Sequence, residues 1–306
     1  MKMETANTPW IKLKQVLDSE DYEMINHLQE QCVLKDRITL KLELDYKLGA
    51  TAELTGMIGV KQINEFMYFI GPQLVGYMGI SQFGGQGSPM EVTGMVHPEF
   101  RRQGIFTQLY ALMTAERKRR NARSMLMLCD RSSTSGQGFI EKIDASYRHS
   151  EYEMVLQQEG TGRQDKPGGE LAFRKAVNAD AGEIARQNAI FFGDVSEPDD
   201  HILLPEEEEK RGMTIYLAEI DEQAIGKFHL QISSGVGGIF GLGMLPEHQG
   251  QGHGRALLLK AVEKLQEAEM KNIFLQVAAE NAKALRLYKS CGFQETSIMD
   301  YYEAIL

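Results

Sequence analysis

The sequence predicts a mixed α/β fold of the α+β kind: two tandem domains, each a mostly antiparallel twisted sheet flanked by helices. Three observations predict it. A series of strand-like runs ends in a Pro-Glu step, a basic or glycine-rich loop and a helix, first at Met95-Val96-His97-Pro98-Glu99 and again at Met244-Leu245-Pro246-Glu247. One supersecondary unit is therefore written twice. Between the copies, Gln157 to Gly169 holds almost no apolar residue and many turn formers, the composition of a linker. The strands also follow one another too irregularly with the helices for a doubly wound parallel sheet. The expected organisation is a domain over 1–157, a linker over 158–169 and a second domain over 170–306.

In the first half, Tyr22, Ile25, Leu28 and Gln31 share a helical phase after a Ser19/Asp21 start signal, so a helix is expected over Asp21 to Gln31. Strand-like runs over Glu65 to Ile70 and Leu74 to Ser81 flank a Gly71-Pro72-Gln73 turn. A third strand, Glu91 to Val96, leads through Arg101-Arg102-Gln103-Gly104 into a helix with Ile105, Leu109 and Met113 on one face. Its basic end, Lys118-Arg119-Arg120, suits the negative pole of the helix. A strand (Ser124 to Cys129), a Ser/Gly-rich loop (Ser132 to Gly138), a short helix and an alternating segment near Tyr152 to Leu156 complete the half.

The second half repeats this order with a strand (Leu171 to Ala176), a helix (Asp180 to Phe191), an acidic segment (Glu206 to Glu209) and strands over Ile215 to Ile220, Ala224 to Ser233 and Gly238 to Leu245. The glycine loop follows, then a helix to about Glu269, a strand (Ile273 to Ala278), a helix (Asn281 to Ser290) and a last strand pair to Ala304. The acidic segment reads as a solvated helix face rather than a metal or amine site.

Composition narrows the function. A chain of 306 residues with 42% hydrophobic and 25% charged residues is long enough for two buried cores. A formal charge of −10 argues against a general nucleic-acid binder and makes cationic or amine partners the easier ones. Cys32, Cys129 and Cys291 stand far apart, without CxxC or Cys/His spacing, so neither a disulfide framework nor a metal site is indicated. No leader pattern and no run of roughly 20 apolar residues is present, so no membrane association and a cytoplasmic location are expected.

The chemistry concentrates at Gln249-Gly250-Gln251-Gly252-His253-Gly254-Arg255, between a strand-like run and an amphipathic helix. Without side chains in the way, the amides of this stretch converge on one anion, and the start of the following helix favours negative charge. The helix dipole alone contributes about 0.3 to 1 kcal/mol, so several amides must act together to hold a pyrophosphate. A nucleotide-triphosphate loop would need Gly-Lys-Ser/Thr, but Gly254 is followed by Arg255-Ala256. A dinucleotide fingerprint would need glycine at Arg255 or Leu257, and its loop opens a βαβ unit rather than following an antiparallel series.

Gln249-Gly-Gln-Gly252-His-Gly254 instead matches Q/R-x-x-G-x-G/A, and Asn281-Ala-Lys-Ala284-Leu-Arg-Leu-Tyr288-Lys-Ser-Cys-Gly292-Phe293 matches N-x-x-A-x-x-L-Y-x-x-x-G-F. With both motifs in this order, the chain resembles the GNAT (N-acetyltransferase) superfamily. The resemblance covers both halves and is specific in the second. Asn281 suits the N-cap of its helix, and Asn281, Ala284, Leu285 and Tyr288 share one face.

The resemblance implies acetyl-coenzyme A as co-substrate, its pyrophosphate on the amides from Gln249 to Arg255 and its pantetheine arm along the strand edge ending at Met244-Leu245, with Asn281 and Ala284 beside it. An acceptor amine, on a small molecule or a peptide, then attacks the thioester directly. The backbone N–H near Leu245 stabilises the oxyanion, and Tyr288 protonates the leaving thiolate. A free amine near pKa 10.4 is neutral only about once in two to three thousand molecules at pH 7, so a base or a site that lowers the amine pKa is needed. Gln276 stands where some relatives carry a glutamate and cannot serve; His229, Glu247 and a water chain stay open.

The first half departs from the pattern. Arg101-Arg-Gln-Gly104-Ile-Phe106 puts Phe106 where the family has Gly or Ala, and Ser132 to Ile143 lacks the Asn/Tyr pair. It reads as a degenerate, non-catalytic copy, and the chemistry is expected within 170–306. A non-catalytic acyl-CoA-binding regulatory module is the alternative reading of the whole chain, and the sequence leaves monomer or homodimer open.

Overall fold

The computed structural model describes residues 8–49, 62–82, 89–157, 171–193, 203–233 and 235–304. Strand β1 (Pro9–Lys14) leads into helices α1 (Ser19–Asp36) and α2 (Leu44–Gly49). Strands β2 (Glu65–Ile70), β3 (Gln73–Ser81) and β4 (Met90–Val96) precede α3 (Ile105–Arg120), β5 (Met125–Asp130), α4 (Thr134–Lys142) and β6 (Ser146–Leu156). The second series is β7 (Ala172–Lys175), α5 (Ala181–Phe192), α6 (Pro205–Lys210), β8 (Met213–Ile220), β9 (Gln223–Ser233) and β10 (Val236–Met244). It continues through α7 (His253–Glu267), β11 (Asn272–Ala278), α8 (Ala282–Ser290) and β12 (Phe293–Glu303).

Two compact units result, and their boundaries do not follow the halves of the sequence. Ser150–Ile298 belong to the second unit, while the first takes the chain up to His149 and regains it from Met299. The first unit's sheet runs β1-β2-β3-β4-β5 and then the end of β12, whose Met299 to Glu303 pair with Asp130 to Leu126. In the second unit, β7-β8-β9-β10-β11 is completed by β6, whose Glu151 to Val155 pair with Ala278 to Phe274. The last strand of each series therefore completes the other unit's sheet. The division expected at 157 does not carry this exchange, and the linker expected over 158–169 lies outside the described residues.

Each sheet is antiparallel except at one step. In the first unit, β4 and β5 are parallel but paired only from Met90↔Met125 to Val92↔Met127. In the second, β10 and β11 are parallel and paired only from Val236↔Asn272 to Ile239↔Leu275. Parallel neighbours need a long crossover, which α3 and α7 supply. Beyond the last pair the two strands part, leaving a forked edge beside the helix start.

The α7 side of the second sheet packs Leu257, Leu258, Ala261 and Leu265 on Phe228, Leu230 and Ile239, all at most 3% exposed. Full burial of one such side chain stabilises by about 1.5–3 kcal/mol. Ile184 of α5 closes the opposite face with Ile215 and Leu217.

The structure also adds to the sequence reading. Helix α1 begins at an Asp18 capping box and extends beyond Gln31 to Asp36. Strand β1 and helix α2 carry no strong periodic signal, and both are held by their neighbours. Helix α4 starts inside the expected Ser/Gly loop because Ser133 caps it, accepting from the Gly136 N–H at 3.2 Å. The last strand pair is one strand, β12; its polar stretch Glu295-Thr296-Ser297 is partly exposed and holds no glycine, proline, asparagine or aspartate. In the acidic run, Glu208 turns inward to Arg211 at 2.6 Å, while Glu206, Glu207 and Glu209 pair near the surface.

Candidate active site

The glycine loop of the second unit is a turn held open by its own polar side chains. Gly250 (φ 78°) and Gly252 (φ 86°) occupy the left-handed region that lets the backbone double back. Gln249 Nε2 donates to the Met244 carbonyl at 2.9 Å, and Gln251 Nε2 to the Glu247 carbonyl at 3.0 Å. Gly252 forms the N-cap of α7 without any side-chain cap. The N–H groups of Gly250, Gln251, Gly252 and Gly254 have no acceptor among the described residues. Those of Gln249 and Arg255 do, donating to Pro246 O at 3.2 Å and Gly252 O at 3.1 Å. The amides at the two ends of the stretch thus serve the turn. His253 points its ring inward, 1% exposed.

Helix α8 is tied to this loop at both of its ends. Lys283 Nζ donates to Gln249 Oε1 at 2.7 Å, and Arg255 Nη1 reaches Ser290 O at 3.2 Å and Ser290 Oγ at 3.0 Å. Arg255 thus reaches the C-terminal end of α8 through Nη1. Asn281 caps α8 by accepting from the Ala284 N–H at 3.0 Å, as its motif position implies. Between these ties stands Tyr288, 7% exposed, its hydroxyl pushed up to about 12 by burial. It is held as a neutral phenol.

At the fork, the Leu245 N–H expected to stabilise an oxyanion donates to Ile225 O at 2.8 Å. Alternation in an antiparallel ladder then turns the Met244 N–H and C=O away from β9, toward the edge that β11 leaves after Leu275. The Met244 carbonyl takes Gln249. The Met244 amide, one residue earlier than expected, is the donor at the open edge.

On the other face of β10, glycine makes room for aromatic and basic side chains. A Cβ on Gly243 would lie 2.1 Å from the Phe191 ring, and one on Gly241 (φ 54°) 3.1 Å from His229. The ladder slips between Phe240 and Gly243, and this bulge turns the Gly241 carbonyl to Lys227 Nζ at 3.1 Å. Lys227, completely buried, also meets His229 Nε2 at 3.2 Å. Of the base candidates, Glu247 is exposed and Gln276 lies in the β11–β6 ladder opposite Glu153. Lys227 escaped sequence reasoning because a lysine inside a strand carries no signal of its own burial; the run of glycines opposite it was the available hint.

The first unit reproduces the backbone without the phenol. His97 N–H donates to Val75 O at 2.8 Å as Leu245 does to Ile225. Arg101 Nε reaches Val96 O at 3.0 Å as Gln249 reaches Met244, and Gly104 (φ 80°) caps α3 as Gly252 caps α7. Even Arg102 adopts a left-handed φ of 64°, like Gly250. In place of Asn281 and Tyr288, α4 has Ser133 as its cap and buried Ile140. Phe106 packs edge-to-face on Phe139, its ring 2.9 Å from where a Gly94 Cβ would be. A cavity of about 480 Å³ opens beside Phe106 and Arg101 between the strand ends of β4 and β5.

A glycine loop with unengaged amides at a helix start, beside a forked parallel pair with a free strand edge, fits a phosphorylated ligand whose amide-bearing arm lies on that edge. A buried neutral phenol, Tyr288, stands on the helix tied to this loop. Residues 183–293 match the model of the Acetyltransferase (GNAT) family, and the chain as a whole has the fold of tandem GNAT structures. It is 39% identical over 64 residues to the [ribosomal protein bS18]-alanine N-acetyltransferase of Escherichia coli K12, a match covering 21% of this chain and 43% of that one. The chain thus spans less than half the length of this curated relative. A GCN5-related N-acetyltransferase from Sphaerobacter thermophilus superposes with a TM-score of 0.72 at 17% identity over 96% of this chain and 95% of that one. A tandem GNAT protein of the clavulanic acid biosynthesis pathway gives 0.70 at 14% identity, over 97% and 98%. At these identities the two structures bear on the fold alone. Among the described residues no helix is long and apolar enough to cross a membrane.

Proposed function

We propose that the second unit transfers an acetyl group from acetyl-CoA to a primary amine by direct attack, with Tyr288 as general acid. The observation that carries this reading is the joining of the two motifs: Lys283 to Gln249 and Arg255 to Ser290 fasten the phenol-bearing helix to the glycine loop. In this reading the amides of Gly250 to Gly254 receive the pyrophosphate, the β10 edge receives the pantetheine amides, and the Met244 N–H meets the developing oxyanion. Tyr288 is protonated throughout the physiological range and gives its proton to the departing sulfur. A thiol near 8.5 against a phenol near 12 makes that transfer uphill by about 5 kcal/mol at full separation of charge. A bound thiolate beside the phenol narrows this gap, because proton and charge are shared along a hydrogen bond.

The first unit serves as a non-catalytic copy, because Ile140 supplies no proton where Tyr288 does. The test is a panel of amines (a diamine, a polyamine, an amino sugar and a peptide with a free α-amine) incubated with acetyl-CoA and read by mass spectrometry. Acetylated product with the wild type, and its loss in Tyr288→Phe with acetyl-CoA binding retained, is the expected result. Binding without transfer to any acceptor would favour an acyl-CoA-binding regulatory module.

A further inference from the structure

The proposed reaction needs a place for the acceptor's proton, and neither glycine loop nor Tyr288 provides one. We propose that His229 and Lys227 form a two-residue proton relay that takes the proton from the acceptor amine, an inference resting on the acetyl-transfer reading of this unit.

Both side chains leave the same face of β9, spaced two residues apart, and meet at 3.2 Å between Nζ and Nε2. Their setting is built around them. The bulge of β10 turns the Gly241 carbonyl to Lys227 Nζ at 3.1 Å, and the Phe191 and Phe192 rings lie 5.7 and 5.3 Å from the same nitrogen. A carbonyl and two aromatic faces are what a newly formed ammonium requires. The imidazole rests on Gly241 itself, at the point where β10 departs from its pairing with β11. Lys227 is wholly buried, and His229, at 9% exposure, is the more accessible member of the pair.

The surroundings of the pair favour the uncharged form of both members. Burial lowers the Lys227 ammonium to about 7, and His229 is held well below its usual range by burial and then by the Lys227 charge. Across the ladders stand Leu217 and Gly243 beside Lys227, and Ile215 and Phe240 beside His229, none of them titratable. On the packed helices, Glu183 pairs with Arg186 and Glu208 with Arg211. Among the described residues no carboxylate pairs with Lys227.

In the relay the acceptor's proton passes to His229 Nδ1 while the Nε2 proton passes to the Lys227 lone pair. The freed nitrogen lone pair forms the bond to the acetyl carbon as the C–S bond breaks; the sulfur leaves with that electron pair and takes the Tyr288 proton, and the surplus proton of the acylated nitrogen restores the Tyr288 phenol. Lys227 is therefore the proton's resting place and His229 the group that touches the acceptor.

Two measurements test this on the full chain. In ¹⁵N NMR at pH 8, the relay requires a neutral Lys227 amine and the Nε2–H tautomer of His229, assigned through Lys227→Met and His229→Gln; an ammonium at Lys227 or an Nδ1–H tautomer overturns it. In kinetics at saturating acetyl-CoA, Lys227→Met and His229→Gln lower kcat/KM for the amine at pH 7 by about 100-fold or more. Acetyl-CoA affinity stays unchanged, and the rate then tracks the free neutral amine as pH rises. Transfer with an unaltered pH profile in both variants overturns the relay alone. A wild type that binds acetyl-CoA and acetylates no amine overturns the transfer reading, and the relay with it.

Discussion

Gln249 folds back over its own loop to the Met244 carbonyl at 2.9 Å, so the residue that opens the glycine motif also fixes the last residue of the strand before it. Loop and strand edge are thereby held in one register. Gln249→Ala removes this bond and the Lys283 contact at 2.7 Å. At about 0.5–1.5 kcal/mol for a net hydrogen bond, acetyl-CoA should bind roughly 2- to 10-fold more weakly by calorimetry. An unchanged Kd would show that the loop holds itself.

Gly252 and Gly254 differ in what they demand. At φ 86°, Gly252 imposes about 1–2 kcal/mol on any other residue, and more on a β-branched one. A Cβ on Gly254 meets only Leu287 Cδ2, at 3.6 Å. Gly252→Val should therefore abolish measurable acetyl-CoA binding, while Gly254→Ala keeps it. Equal losses in both would show that space at the cradle matters more than its backbone conformation.

Tyr288→Phe should lower kcat by about 100-fold with little change in acetyl-CoA affinity. Its folded pKa is raised from 10 to about 12, so its contribution to stability is fully present below pH 10 and is lost between pH 10 and 12. Unfolding midpoints of wild type and variant should accordingly converge or cross only in that alkaline window. A divergence already at pH 8 would mean that the hydroxyl has a partner in the folded chain.

Lys227→Met should be more stable than the wild type near neutrality. The folded pKa is depressed from 10.5 to about 7, so the burial penalty is absent above pH 10.5 and grows as pH falls to 7. The gain is about 4 kcal/mol at pH 7, about 2 at pH 9 and near zero at 10.5. Urea titrations at these three values check the slope; a gain independent of pH would mean that the ammonium stays charged in the folded state.

In the first unit, Lys47 donates to Glu65 Oε2 at 3.2 Å and to the Tyr77 hydroxyl at 3.1 Å, all three side chains being buried. Lys47→Met leaves the buried Glu65 carboxylate without its cation, accepting from the Tyr77 hydroxyl, and should cost about 3–5 kcal/mol by chemical denaturation. A loss below 1 kcal/mol would mean that the Tyr77 hydroxyl by itself satisfies Glu65.

Motif spacing, hairpin turns and helix caps are local, and they were legible in the sequence by themselves. They determined the duplicated α/β plan, the glycine loop, the Asn281 cap and the residue types of the site, because each depends on a few neighbouring side chains and on backbone freedom. The weak signals of β1 and α2 were not legible, since edge pairing and packing, rather than periodicity, hold them. Only the tertiary structure decided which strand completes which sheet, since β6 and β12 obtain their partners from the far half of the sequence. It also decided that Leu245 spends its amide on Ile225 while Met244 faces the fork, a consequence of ladder register that no residue type announces. The pairing of Lys227 with His229 is of the same kind: the burial that lowers the Lys227 ammonium comes from surroundings supplied by β10 and α5.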